Sequence, residues 1–242
     1  MKVSIIIPAR DEAGTIALIP KLIPKMGEES ELIFVEGHSK DGTWKEIKKC
    51  QMLNSKCPIR AYKQGKGRGK ASAVEIGFRY AKGDILMILD ADLSVQPKEL
   101  INFYKVLVSG EADFANGSRF VYQKEKGAMK YFNHLGNKFF AYIFSLILRQ
   151  RITDTLCGCK AFFRKNWKNL YKVTKSLRKD DPYGDFTLLL GAAKLGLKVV
   201  EVPVNYRARI YGKSKISPFF DGIKLIILLV KDVRNYLLSI FS

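Results

Sequence analysis

Short aliphatic runs that end in polar, chemically capable residues recur along this chain, with longer segments of helical period between them. Ile5-Ile6-Ile7-Pro8, Leu32-Ile33-Phe34-Val35 and Ile85-Leu86-Met87-Ile88-Leu89 are apolar at every step rather than at alternate steps, the pattern of strands covered on both faces. Parallel strands need long crossovers, and the intervening helical segments supply them. The expected class is therefore α/β, a Rossmann-like, mostly parallel sheet flanked by helices. Strands are expected near 3–8, 31–36, 58–62, 84–90, 112–118 and 198–204, and helices over 13–25, 41–52, 71–81, 97–108, 130–148, 183–195 and 218–240. Pro20 and Pro24 each remove a backbone donor from the first of these, so it should be short or broken.

Open α/β sheets bind ligands beyond the carboxyl ends of their strands, and the polar motifs fall there. Pro8-Ala9-Arg10-Asp11-Glu12 follows the first strand, Glu36 to Thr43 the second, and Asp90-Ala91-Asp92 the fourth. Asp90 and Asp92, one residue apart, point to the same side of an extended backbone. They suit a divalent ion, Mg²⁺ or Mn²⁺, that completes its shell with phosphate oxygens; the alternative is a pair of solvated turn aspartates. Gly65-Lys66-Gly67-Arg68-Gly69-Lys70 offers open backbone and cations to a diphosphate near a helix N-terminus, or is a basic surface loop. It lacks the Walker spacing, which argues against an ATPase. Arg119 is either a fixed cation for phosphate or an ordinary surface arginine. Asp154 and Asp185 are candidate bases or orienting groups, with helix capping open for Asp185. His38 is a candidate nucleotide contact, whereas His134 reads as packed or exposed.

The formal net charge is +19, and residues 120–242 hold 23 basic against 8 acidic side chains. That excess calls for phosphates or an acidic membrane surface. Composition excludes a disordered or collagen-like chain. A nucleic-acid binder would explain the charge but not the acidic strand ends, and no nucleic-acid module is present, so no such partner is expected. Cys50, Cys57, Cys157 and Cys159 lack zinc spacing and are expected as thiols in a reducing compartment. No secretory leader and no spanning helix are expected, because the longest apolar runs are far shorter than the roughly 20 residues a span needs. Residues 130–148, with Arg149 directly after them, and 218–240 mix Phe, Tyr, Leu and Ile with Lys138, Lys224, Lys231 and Arg234. They read as interfacial amphipathic helices or as buried ones.

The ordered motifs Ser4 to Pro8, Val35 to Thr43, Ala81-Lys82-Gly83-Asp84, Asp90-Ala91-Asp92, Gly117-Ser118-Arg119, Asp154 to Gly158, Glu201-Val202-Pro203 and Arg209 to Lys215 resemble family 2 glycosyltransferases of the GT-A fold. Within that family they resemble the polyprenyl-phosphate (dolichol-phosphate) mannose and glucose synthases. The resemblance implies an inverting transferase that moves a hexose from a nucleotide sugar, GDP-mannose ahead of UDP-glucose, onto a polyprenyl phosphate. It implies a donor pocket of Pro8, Ala9, Arg10, Glu12, Glu36 and His38, with Lys70, Asp90, Ala91, Asp92 and Arg119 at the diphosphate. Asp90 and Asp92 would hold the metal. Asp154, Arg209, Ser214 and Lys215 would serve the acceptor phosphate, and Asp185 is a further catalytic candidate. The transferase domain would span 1–215, with an interfacial helix over 216–242. Residence would be cytoplasmic and peripheral to the membrane, by direct attachment or through a membrane-protein partner. The chain departs from the family pattern at Glu36-Gly37-His38, Asp11, Ser94 and Glu75, positions that bear on donor base and sugar more than on reaction class.

Overall fold

A computed structural model describes residues 1–52, 57–121, 131–148, 150–175, 177, 181, 183–212, 222–228 and 230–231. In chain order the strands are β1 (Val3–Ala9), β2 (Ser30–Glu36), β3 (Ile59–Lys63), β4 (Ile85–Ile88), β5 (Phe114–Ser118), β6 (Lys160–Phe163) and β7 (Val199–Pro203). The helices are α1 (Ala13–Ile16), α2 (Ile19–Leu22), α3 (Thr43–Met52), α4 (Gly69–Tyr80), α5 (Leu100–Val108), α6 (Tyr131–Leu148), α7 (Arg164–Thr174) and α8 (Asp185–Lys194). The sheet order is β3-β2-β1-β4-β6-β5-β7, parallel except for β6, which runs antiparallel between β4 and β5.

Alternate side chains of each central strand feed two cores, one per face. Ile5, Ile7, Leu32, Phe34 and Met87 meet Ile16, Ile47, Leu100 and Phe103 on one side. Ile6, Ile33, Leu86 and Ile88 meet Val74, Phe78, Phe144, Phe186 and Leu189 on the other. This double burial is why the runs are apolar throughout. At about 1.5–3 kcal/mol for each large apolar side chain removed from water, the two cores dominate the folding energy.

The first helix is broken as the prolines require: α1 ends at Ile16, α2 takes Pro20 into its first turn, and Pro24 lies beyond its end. β4 stops at Ile88, earlier than the expected 90, which leaves Leu89 to Asp92 free to turn over the sheet edge. β6 and α7 were not expected. A strand of four residues that opens on Lys160 is too short to stand out as an apolar run, and α7 carries Arg164, Lys165, Lys168 and Lys172 around buried Leu170. Of the expected helix over 218–240, residues 222–228 and 230–231 are helical, and Leu225 and Leu228 join the second core. The 215–216 boundary lies outside the described residues.

Candidate active site

Three ion-paired clusters line the carboxyl edge of the sheet. In the first, α4 begins at Gly69, whose φ of +79° suits glycine, and Lys70 follows in its first turn. The Lys70 Nζ lies 2.7 Å from Asp90 Oδ1 and donates to both Asp185 oxygens at 3.1 and 3.2 Å. Asp185 opens α8 directly after Gly184, at φ 79°. Asp181 fixes that turn by accepting the Tyr183, Gly184 and Thr187 N–H groups and the Thr187 hydroxyl. Burial alone would lower the Lys70 pKa, but Asp185 and Asp90 together hold it well above the usual lysine range. Burial pushes the Asp185 carboxyl up to about 6, against the pull of Lys70 and Lys160 and with a further push from Asp90.

Gly158, in the turn between Cys157 and Cys159, closes over this cluster. A Cβ there would lie 2.0 Å from Asp90 Oδ2 and 2.4 Å from Lys70 Nζ. Both are ends of flexible side chains, so an added methyl group displaces the ion pair rather than the backbone. Gly158→Ala is expected to lower turnover about a hundredfold, the effect of an ångström-scale misplacement, while leaving the urea midpoint nearly unchanged. Turnover within twofold of wild type would show that the Lys70–Asp90 contact is not needed.

The second cluster joins three distant segments. Asp92 Oδ1 accepts the Ser94 N–H at 2.9 Å across a turn in which Leu93 adopts φ 58°. The Arg209 guanidinium bridges Asp92 Oδ2 at 2.7 Å and Glu12 Oε1 at 2.6 Å. Arg209 sits on a strap that leaves β7 and crosses the edge. The strap is tacked down by the Val95–Tyr206 bridge, by the Arg207 N–H donating to Ser94 O at 2.9 Å, and by the Tyr211 hydroxyl donating to Asp41 at 3.4 Å. Ser214 and Lys215 lie outside the described residues.

The ends of β1 and β2 interlock beside it. Asp11 and Glu12 donate backbone N–H to Ser39 Oγ and Thr43 Oγ1, while Asp11 and Glu36 accept the Lys40 and Ser39 N–H groups. Asp41 accepts from Ala13 and Thr43, a scaffold role. His38, at φ 61°, places its ring Nε2 2.9 Å from Gly67 O and so ties this corner to the glycine-rich loop. The structure thus brings Pro8, Ala9, Arg10, Glu12, Glu36 and His38 to one corner, with Arg10 and His38 exposed and Glu12 and Glu36 buried.

In the third cluster Arg119 Nε and Nη2 grip Asp154 at 2.6 and 2.8 Å, and the Arg119 N–H adds a bond at 3.0 Å. Asp154 is fully buried. Burial would raise its pKa, but Arg119 holds the carboxyl below the usual range. Arg119 therefore packs into the wall, its guanidinium 5.2 Å from the Tyr206 ring centroid. Glu201 accepts the Thr153 and Asp154 N–H groups and so holds that turn; in the sequence it stands out only as part of the Glu201-Val202-Pro203 motif, and no sequence signal singles out Tyr206 or Lys160.

Asp90 and Asp92 present hard carboxylate oxygens beside two cations, a donor set that fits Mg²⁺ or Mn²⁺ sharing its shell with a diphosphate. Among the described residues no third His, Cys, Asp or Glu completes a protein-only metal cage.

A sequence model of glycosyl transferase family 2 matches residues 4–189, a span that holds all three clusters except the strap. The chain belongs to glycosyl transferase family 2. Among its relatives in that family, a dolichol-phosphate mannosyltransferase of Pyrococcus furiosus is 31% identical over 96% of this chain and 64% of its own length. A dolichyl-phosphate beta-glucosyltransferase of Dictyostelium discoideum is 27% identical over 99% of this chain and 76% of its own length. The glycosyltransferase AglD of Haloferax volcanii is 26% identical over 90% of this chain but only 34% of its own length. The chain thus spans less than two thirds of two of these relatives. A glucosyl-3-phosphoglycerate synthase of Mycobacterium tuberculosis, crystallised with Mn²⁺, UDP and glucosyl-3-phosphoglycerate, superposes with a TM-score of 0.68 at 18% identity, over 96% of this chain and 79% of that one. That likeness shows the fold to be GT-A.

Proposed function

We propose that this family 2 glycosyltransferase transfers a hexose, with inversion, from a nucleotide sugar to a polyprenyl or dolichyl phosphate, with GDP-mannose the favoured donor and UDP-glucose next. The observation that carries this reading is the Lys70–Asp90–Asp185 cluster beside the Asp92–Arg209 pair at the carboxyl edge. The leaving group is a nucleoside diphosphate, so the site must hold growing negative charge, and fixed cations in a water-poor edge do this best. Lys70 and Arg209 are those cations. A divalent ion held by Asp90 and Asp92 would add Lewis-acid neutralisation of the same charge. Pro8 to Glu12, Glu36 and His38 line the corner where the nucleoside would sit. The relatives named for dolichol-phosphate mannosyl and dolichyl-phosphate glucosyl transfer support the lipid-phosphate acceptor and the two sugars considered.

A phosphate monoester has its second pKa near 6, so at neutral pH it attacks without a general base. Asp185, with both oxygens on Lys70, fits an orienting role better than proton abstraction from a sugar hydroxyl. Calorimetry with GDP, UDP, GDP-mannose and UDP-glucose, each with and without Mn²⁺, followed by incubation with a short polyprenyl phosphate, tests the reading. Binding to one base and a glycosylated lipid phosphate are expected. Binding to none of the four would remove the proposal. Transfer to a glycan hydroxyl, abolished by Asp185→Asn, would replace the acceptor and make Asp185 the base.

Peripheral attachment at the cytoplasmic face of a membrane belongs to the same proposal. Phe139, Tyr142 and Leu146 on α6, and Ile223, Ile226, Ile227 and Val230 on the later helical stretch, are exposed along helix faces whose opposite sides are buried. Lys138, Lys224 and Lys231 stand beside them, a pairing of apolar and basic groups suited to anionic headgroups. Among the described residues no helix is long and apolar enough to cross a membrane. Flotation with anionic vesicles at moderate salt is the check, and protein left wholly in the soluble fraction would count against direct attachment.

A further inference from the structure

We infer that Lys160 is a positioning residue for the Lys70–Asp185–Asp90 cluster: from inside the sheet it anchors the Cys157–Cys159 turn whose Gly158 lies against Asp90 and Lys70. The inference rests on the reading of that cluster as the reacting edge.

Lys160 opens β6, in register with Ile88 of β4 on one side and Asn116 of β5 on the other. Its side chain has no solvent exposure. Burying an ammonium costs several kcal/mol unless the charge is matched. A leucine or valine would fill a central strand position without that cost, so the energetics of the sheet alone do not account for a lysine here.

Its partners explain it. The Lys160 Nζ donates to Asn116 Oδ1 at 2.6 Å and to the Cys157 carbonyl at 2.8 Å. The second bond fixes the turn whose Gly158 lies against Asp90 Oδ2 and Lys70 Nζ. The first extends the network, because Asn116 Nδ2 donates to the Asp154 carbonyl at 2.6 Å and so reaches the turn gripped by Arg119. Both acceptors are neutral oxygens, which leaves the ammonium's field to act on nearby charge. The Lys160 charge also draws the Asp185 carboxyl down alongside Lys70, against burial and Asp90, which push it up.

The test uses the full chain with Lys160→Met, Lys160→Gln and Lys160→Arg. Gln keeps donors for Asn116 and Cys157 but no charge, and Arg restores the charge. The first readout is the carboxyl ¹³C titration of Asp185 in aspartate-labelled protein, with its resonance identified by its loss in Asp185→Asn. Met and Gln are expected to move the Asp185 midpoint to higher pH, and Arg to return it toward wild type. The second readout is donor turnover, which should fall about tenfold or more in Met and Gln and recover in part with Arg, as expected for loss of one preorganised charge. Turnover within twofold of wild type in folded Lys160→Met would overturn the inference. If wild type itself transfers no sugar while the midpoint moves as expected, the functional proposal fails and the role of Lys160 toward Asp185 stands. Should Lys160→Met not fold, the Gln and Arg pair decides.

Discussion

Asp92→Ala is expected to lower turnover of the nucleotide sugar by about 10²–10³-fold, the effect of removing one preorganised group where transition-state charge collects, and to weaken donor binding. Asp92 does two things that alanine cannot. Its Oδ1 closes the turn at Ser94, and its Oδ2 holds Arg209 at 2.7 Å. If Asp92 mattered only as an anchor for the strap, Arg209→Ala would reproduce the loss. Arg209→Ala leaves the carboxylate and its turn in place, so a smaller loss is expected, about tenfold for one partly exposed cation. Asp92→Asn separates shape from charge, since its amide oxygen still accepts the Ser94 N–H. Calorimetry with GDP and UDP beside steady-state rates gives both numbers for each variant. Equal losses in Asp92→Ala and Arg209→Ala, with Asp92→Asn near wild type, would make the carboxylate a structural anchor and remove it from the site.

How much of this was legible in the sequence depends on how local each device is. The central strands announced themselves because each is apolar on both faces, and Asp90-Ala91-Asp92 follows its strand within two residues. Lys70 was visible as the end of a glycine-rich run. Its partner Asp185 lies 115 residues away, and Glu12 and Arg209 are 197 apart, so no local pattern could pair them. The third cluster was read one residue at a time: Arg119 as a donor-side cation and Asp154 as an acceptor contact, where the fold places them against each other. β6 was hidden by its own chemistry. A strand is read from hydrophobicity, and Lys160 breaks that signal in a segment of four residues; only the fold supplies Asn116 and the Cys157 carbonyl that let a lysine enter the core. The same rule applies to Glu201, whose carboxylate accepts the N–H groups of Thr153 and Asp154, 48 and 47 residues earlier in the chain.

Arg119→Met is expected to destabilise the fold by about 3–5 kcal/mol at neutral pH, because it strands a fully buried carboxylate without its counter-charge. Asp154 has no solvent exposure, and the guanidinium that satisfies it is itself only 12% exposed. The double variant Arg119→Met with Asp154→Leu should recover part of the loss, since no charge is then left buried. Recovery will be incomplete: the Arg119 and Leu156 N–H groups, both donors to Asp154 in the wild type, lose their acceptor. The pH dependence gives the sign. In wild type the folded-state pKa of Asp154 is depressed, so the pair's contribution is present above the ordinary carboxylate pKa near 4 and is lost only as pH falls through the lower folded value. Without Arg119, burial dominates and raises that pKa, so the folded variant takes up a proton that the unfolded chain releases. Its deficit relative to wild type should therefore be largest at neutral pH and shrink toward pH 5. Urea unfolding of the two single variants and the double variant between pH 5 and 8 measures this directly. A deficit below 1 kcal/mol, or one that grows on acidification, would mean that water or a neighbouring donor replaces Arg119 and that the guanidinium is free to serve the donor diphosphate.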